Sequence, residues 1–184
     1  MLFRSEGTLL TCYENVAAAP GGDAFVASKY RIEPPIRRGR EAERKPLATA
    51  VADDAVRPET KIRVYTSMAT WCPSCLAHLP AAKQLNDVMA GESVEFIAIP
   101  IDDNDDAGML KTYVDKQKPA YRLLATLPAP RRAIFRAELE KLLGHEPGLP
   151  SSVITDAAGG IIDVLPGLPT VSQLRSWMRL APSE

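Results

Sequence analysis

Ala69-Thr70-Trp71-Cys72-Pro73-Ser74-Cys75 is the stretch on which the reading of this chain turns. Two cysteines separated by two residues can form a disulfide when they begin a helix, because the bond demands close Cβ atoms. Ahead of them, Ile62-Arg63-Val64-Tyr65-Thr66 alternates like a strand. After them, Leu76, Leu79, Ala82, Leu85, Val88 and Met89 recur at helical spacing as far as Gly91, a natural stop. Cys72 then falls at a helix N-terminus, where the dipole and free N–H groups favour a thiolate, the attacking species. Pro73 suits the first helical turn, where a missing N–H costs nothing. On this reading Cys72 is the exposed nucleophile. Cys75, one turn in, is more buried and attacks the mixed disulfide. The competing readings are an inert disulfide and a zinc half-site. Zinc needs four ligands, and the sequence holds no second cysteine pair.

Further along the chain, Val94-Glu95-Phe96-Ile97-Ala98-Ile99-Pro100-Ile101 is apolar enough for a central buried strand. Asp102-Asp103-Asn104-Asp105-Asp106 leads into a helix over Ala107 to Lys116, and acids there suit capping and the helix dipole. A calcium loop would need glycine and ligand spacing that this run lacks. Tyr121 to Ala125 reads as a short strand. After Pro128-Ala129-Pro130, Arg131 to Leu143 reads as a helix with Ile134, Phe135, Leu139, Leu142 and Leu143 on its apolar face, ended by Gly144. Ser151 to Thr155, the turn Asp156-Ala157-Ala158-Gly159-Gly160, and Ile161 to Leu165 form a hairpin pattern. Val171 to Leu180 closes the chain as an amphipathic helix. Early strand–helix alternation predicts parallel pairing through right-handed crossovers, and the late hairpin adds antiparallel strands. The fold class is a mixed α/β sheet with helices on both faces.

Residues 1–60 read as an N-terminal extension to a domain spanning 61–184. Thr8 to Tyr13 and Ala24 to Ile32 could pair as an edge hairpin across Ala19-Pro20-Gly21-Gly22-Asp23. The proline- and arginine-rich run from Pro34 to Pro46 reads as a solvated linker. The 184 residues suit one domain with extensions. With 46% hydrophobic and 24% charged residues the chain can build a core. A net charge of -1 gives no reason to expect nucleic acid or an anionic membrane as the main partner. Three cysteines are too few for a disulfide framework, and the odd one, Cys12, reads as a buried small hydrophobe rather than a third redox thiol or a lipid attachment point. No apolar stretch reaches the ~18 residues of a membrane span. Glu6 interrupts any signal-peptide core.

The segment Ala69 to Cys75 resembles the active-site segment of the thioredoxin-like superfamily, especially its TlpA/ResA-like branch, whose signature runs Ala-Thr-Trp-Cys-x-x-Cys. Pro80 matches the proline inside that family's first long helix. Gly148-Leu149-Pro150-Ser151-Ser152, with Asp156 and Gly159-Gly160 after it, resembles the segment that carries the family's cis-proline. The likeness covers about residues 60 to 182. It implies a thioredoxin fold and dithiol–disulfide exchange with protein thiols or disulfides, fed by an upstream redox donor and needing no bound cofactor. It implies that Pro150 is cis and lies against the dithiol. The backbone at Leu149 would then pair with an extended substrate segment. Trp71, Pro73 and Ser74 would complete the docking surface. The branch leans towards reductants working in the bacterial periplasm. The missing leader conflicts with that, so the cytoplasm stays open.

Some positions depart from the family pattern. Thr66 stands where thioredoxin has a buried aspartate that moves protons to and from the second cysteine. Ser67 and Met68 replace aromatic residues, and His78 replaces a frequent glutamate. His78 lies one turn along the helix from Cys75, where an imidazole could tune the thiol or accept a proton. An ordinary helix-surface histidine is the plainer alternative. His145 matters for one other reading, a copper-binding metallochaperone of the same fold using Cys72, Cys75 and His145. Such proteins normally separate their cysteines by three residues. A peroxidase reading lacks the proline and threonine ahead of the reactive cysteine.

Overall fold

Ile62–Met68 form strand β1, and every residue of it is buried. The computed structural model describes Leu47 and residues 59–179, all within the unit Glu41–Glu184. The edge hairpin, the linker and Cys12 lie outside the described residues. β1 is buried on both faces because it lies mid-sheet. β2 (Val94–Pro100) runs parallel to it, with Ile62 opposite Val94 and Met68 opposite Pro100. β4 (Ser151–Asp156) runs antiparallel on its other side, with Thr66 opposite Ser152. β3 (Arg122–Leu123) pairs parallel with β2, and β5 (Ile161–Pro166) pairs antiparallel with β4. The order across the sheet is β3-β2-β1-β4-β5. Helix α1 (Pro73–Val88) makes the β1-to-β2 crossover, and α2 (Ala107–Gln117) makes the next. Helix α3 (Ala129–Leu143) precedes β4, and α4 (Val171–Met178) follows β5.

Successive strand residues point to opposite faces, so β1 divides the core. Val64, opposite Phe96 and Ile154, belongs to a cluster completed by Leu85, Met89, Leu174 and Trp177 from the α1 and α4 side. Tyr65, opposite Ile97 and Val153, belongs to a cluster with Phe135 and Leu139 of α3. Leu47 inserts into that second cluster and donates its N–H to Gly159 O at 2.9 Å. α2 packs Leu110 and Tyr113 against Met68, Ala98 and Cys75.

Several element limits differ from the sequence reading. The edge strand is only Arg122–Leu123, not Tyr121 to Ala125. Leu124 N–H still reaches Ala98 O at 3.0 Å, but Leu127 N–H then folds back onto Leu124 O at 3.2 Å and the chain leaves the sheet. α3 begins at Ala129 rather than Arg131 because Pro130 fits the first turn. Its inward positions are Arg132, Phe135 and Leu139, which puts Ile134 to the side at 44% exposure rather than in the core. Val88 is likewise exposed. α4 ends at Met178, before Leu180. Pro80 lies inside α1, where it removes the N–H that would meet the Leu76 carbonyl.

Candidate functional site

β1 delivers the chain to the site. After Met68 the backbone turns, with Cys72 N–H donating to Ala69 O at 3.2 Å, and α1 begins at Pro73. Cys72 is the N-cap of α1: its Sγ accepts the Cys75 N–H at 3.1 Å. The sulfur thus takes the place of a capping oxygen and satisfies one of the orphan donors of a helix start. Both cysteines are free thiols. The expectation that Cys72 is the exposed one of the pair is corrected: Cys72 is 3% and Cys75 5% exposed. Met68, Ala69, Leu110, Tyr113 and Leu149 pack around them, and Cys72 S–H donates to Leu149 O at 3.9 Å. Cys72 also lines an open groove of about 770 Å³ shared with Trp71, Pro73, Ser74 and Leu149. The exposed part of this segment is Trp71, at 60%.

The loop before Cys72 is held by acids that the sequence reading assigned only to capping. Asp106 does cap α2, accepting from Met109 N–H at 2.8 Å. Asp105 instead turns inward, 1% exposed, and accepts the Thr70 N–H at 2.9 Å together with the Thr70 hydroxyl. Asp102 accepts the Trp71 indole N–H, and the Asn104 backbone N–H with that indole holds its carboxyl below the usual range. Buried Arg132 fixes this acidic loop by donating to Asp105 O and Leu127 O, each at 2.8 Å. Asp105→Ala leaves Thr70 N–H without its acceptor. The expected cost is about 1–3 kcal/mol of stability, read from the urea midpoint, with slower thiol reactivity as the Thr70–Trp71 turn loosens.

Behind the dithiol, Thr66 supplies no carboxylate. Ser152 Oγ donates to Gly167 O at 2.6 Å, so the Thr66 hydroxyl, 3.0 Å away, is the donor to Ser152. Ser67 and Ser151 are tied to each other, Ser151 N–H donating to Ser67 Oγ at 3.0 Å and Ser67 O–H to Ser151 O at 3.2 Å. Tyr113 and Tyr121, which sequence reasoning did not connect with the site, share a hydroxyl–hydroxyl bond of 2.7 Å beside Cys75. Burial pushes both phenols up. Burial, then the contact with Cys72, pushes the Cys75 thiol up from an ordinary 9.0 to about 12.

The peptide Leu149-Pro150 is cis, and it stands against the dithiol: Leu149 offers its carbonyl to Cys72, while buried Pro150 and Cys75 line one small space. A five-stranded β3-β2-β1-β4-β5 sheet now has a dithiol at the end of its central strand and a cis-proline facing it. This is a thioredoxin fold. No protein-family model matches the sequence, and no curated protein does. Several solved structures are similar to the chain. A thioredoxin-family thiol:disulfide interchange protein from Chlorobium tepidum is 24% identical, with 66% of this chain and 79% of that one covered and a TM-score of 0.49. A thiol-disulfide isomerase from Corynebacterium glutamicum is 20% identical, covering 73% and 90%, with a TM-score of 0.49. StoA from Bacillus subtilis is 19% identical, covering 64% and 81%, with a TM-score of 0.46.

In this thioredoxin fold Trp71, Cys72, Pro73, Ser74 and Leu149 line one groove, and Thr66, His78 and Pro150 border the small space beside Cys75. His145 is exposed, with Nδ1 2.8 Å from Glu146 O. Among the described residues no group of three or more His, Cys, Asp or Glu side chains is placed to hold a metal ion. Among the described residues, too, no helix is long and apolar enough to cross a membrane. The raised Cys75 thiol has a consequence for stability. The folded, reduced chain holds that proton more tightly than the unfolded chain does. Its contribution is therefore intact below about pH 9 and is lost as pH rises towards about 12. Urea midpoints of the reduced chain should fall over that window, and Cys75→Ala should remove that part of the slope.

Proposed function

We propose that the chain is a thiol–disulfide oxidoreductase that exchanges a Cys72–Cys75 dithiol for a disulfide in protein substrates. The observation that carries this reading is the placement of Cys72 Sγ, capped by the Cys75 N–H and facing the Leu149 carbonyl at the floor of an open groove. Attack needs a sulfur at the groove and a second sulfur in reach of it. Resolution needs a partner that stays protonated until required, which suits buried Cys75. The groove beside the cis-proline suits an extended peptide, whose backbone could pair at Leu149. Trp71 adds a large exposed ring to the docking surface.

The reducing direction, an upstream electron donor and work outside the bacterial cytoplasm are proposed from the resemblance to the TlpA/ResA-like branch. Proteins of this chemistry span roughly 150 mV in potential, so a glutathione redox titration of Cys72–Cys75 decides the direction. A two-electron midpoint near the thioredoxin end, with turnover of a protein disulfide by the reduced chain, is the expected result. Failure of the pair to form an internal disulfide at any poise would end the reading.

A further inference from the structure

The groove of about 770 Å³ beside Cys72 is larger than one disulfide needs. The remaining space falls to the residues on either side of the substrate cysteine. Trp71, Pro147 and Leu149 give the groove apolar surface. Asp102, Glu140 and Glu146 give it negative charge, and Arg136 is the one cation among its described lining residues. That cation is engaged, donating to Ile101 O and to the Asp103 carboxylate, each at 3.3 Å. Asp102 is engaged too, by the Trp71 indole and by Asn104. Glu140 and Glu146 differ from both. They are exposed, and among the described residues their carboxylates have no ion pair and no hydrogen bond. Lys141, next to Glu140, does not line the groove.

A chain with a net charge of only -1 thus gathers unpaired negative charge beside its reactive sulfur. A cleft lined by one sign of charge focuses the field and raises the local concentration of the opposite sign. The place of Glu146 sets where that charge meets a substrate. Glu146 precedes Leu149 by three residues, so it stands no more than about 11 Å along the chain from the backbone at which a substrate pairs. An extended substrate advances about 3.3 Å per residue. A cation within about three residues of the substrate cysteine therefore comes level with the acids.

We propose that Glu140 and Glu146 determine specificity, selecting protein segments that carry lysine or arginine within about three residues of the cysteine attacked by Cys72. The proposal rests on the dithiol-exchange reading and names the substrate class of that same groove. In the step concerned, the Cys72 thiolate attacks the substrate sulfur. A new bond forms between Cys72 Sγ and that sulfur, the old disulfide breaks, and the other sulfur leaves as a thiolate. Neither glutamate takes part in the bond exchange. Both act on the encounter, by attracting the cation and holding it while the peptide settles against Leu149.

The test uses the reduced full chain and three single-cysteine peptides, alike except for lysine, glutamine or glutamate on either side of the cysteine. Each peptide is supplied as its thiopyridyl disulfide, whose leaving group absorbs on release. Rates with Cys72→Ser are subtracted, and division by rates with mercaptoethanol removes the intrinsic reactivity of each peptide. At low ionic strength the lysine peptide should react about tenfold faster than the glutamine peptide, as expected of two exposed ion pairs, and the glutamate peptide more slowly than either. High salt should compress the lysine-to-glutamine ratio to about two. Glu140→Gln combined with Glu146→Gln should do the same at low salt, and a ratio does not depend on how much of a variant folds. Asp87→Asn combined with Asp115→Asn changes the net charge equally outside the groove and should leave the ratio at about ten. Equal rates for the three peptides overturn the substrate class and leave the exchange reading standing. So does a ratio that survives loss of both glutamates, or that falls as far without Asp87 and Asp115. Release that Cys72→Ser leaves unchanged overturns the dithiol-exchange reading itself, and the proposal with it.

Discussion

Cys72→Ser lowers the rate of protein-disulfide reduction by about a thousandfold or more, while the fold persists. The substitution replaces sulfur by oxygen at the N-cap of α1, where a serine hydroxyl is itself a preferred cap and can accept the Cys75 N–H. The helix start is therefore kept, and only the chemistry goes. A hydroxyl beside the groove offers no anion at neutral pH and does not attack a disulfide. Turnover of a protein disulfide by wild type and variant, with matched far-ultraviolet circular dichroism, checks both halves. A variant that retains a tenth of the activity would place the attacking group elsewhere.

Phe135→Ala has the largest expected effect on stability. Phe135 is 0% exposed and stands in the cluster of Tyr65, Ile97, Leu139 and Val153 that joins α3 to the sheet. Loss of the ring removes apolar burial and leaves a cavity, which together cost about 3–5 kcal/mol. For a chain of this size that corresponds to a fall in Tm of about 6–20 °C. Differential scanning calorimetry of both proteins in the reduced state measures it. The same substitution at Ile134, 44% exposed on the same helix, should cost far less.

The element order was legible in the sequence because each element carries its own period. β1 read as a strand from its alternation and β2 from continuous apolar character, and α1 read as a helix from the recurrence of Leu76, Leu79, Ala82 and Leu85. What surrounds the dithiol was less legible, because it is built by contacts far apart in the chain. Cys72 and Leu149 are 77 residues apart, and only the resemblance brought them together. Asp105 reaches Thr70 across 35 residues, and nothing in a run of neighbouring acids marks which one turns inward. The signal that could have found it is the cap itself: one acid of the run is enough for the α2 N-cap, which frees the next for another task. Burial of Cys72 was missed for a similar reason. A helix N-terminus is usually open to water, and here Met68, Leu110, Tyr113 and Leu149 pack around the cysteines and leave Cys72 only a small face on the groove.

The dithiol segment gains its meaning from those distant partners, and the central claim is that Cys72 carries the substrate while Cys75 releases it. Cys75→Ser tests this most directly. Mixed with a disulfide-bonded protein substrate, the variant should accumulate a covalent adduct through Cys72 that dithiothreitol reverses and that Cys72→Ser abolishes. If Cys75→Ser forms no such adduct, or forms it through another residue, the account is contradicted.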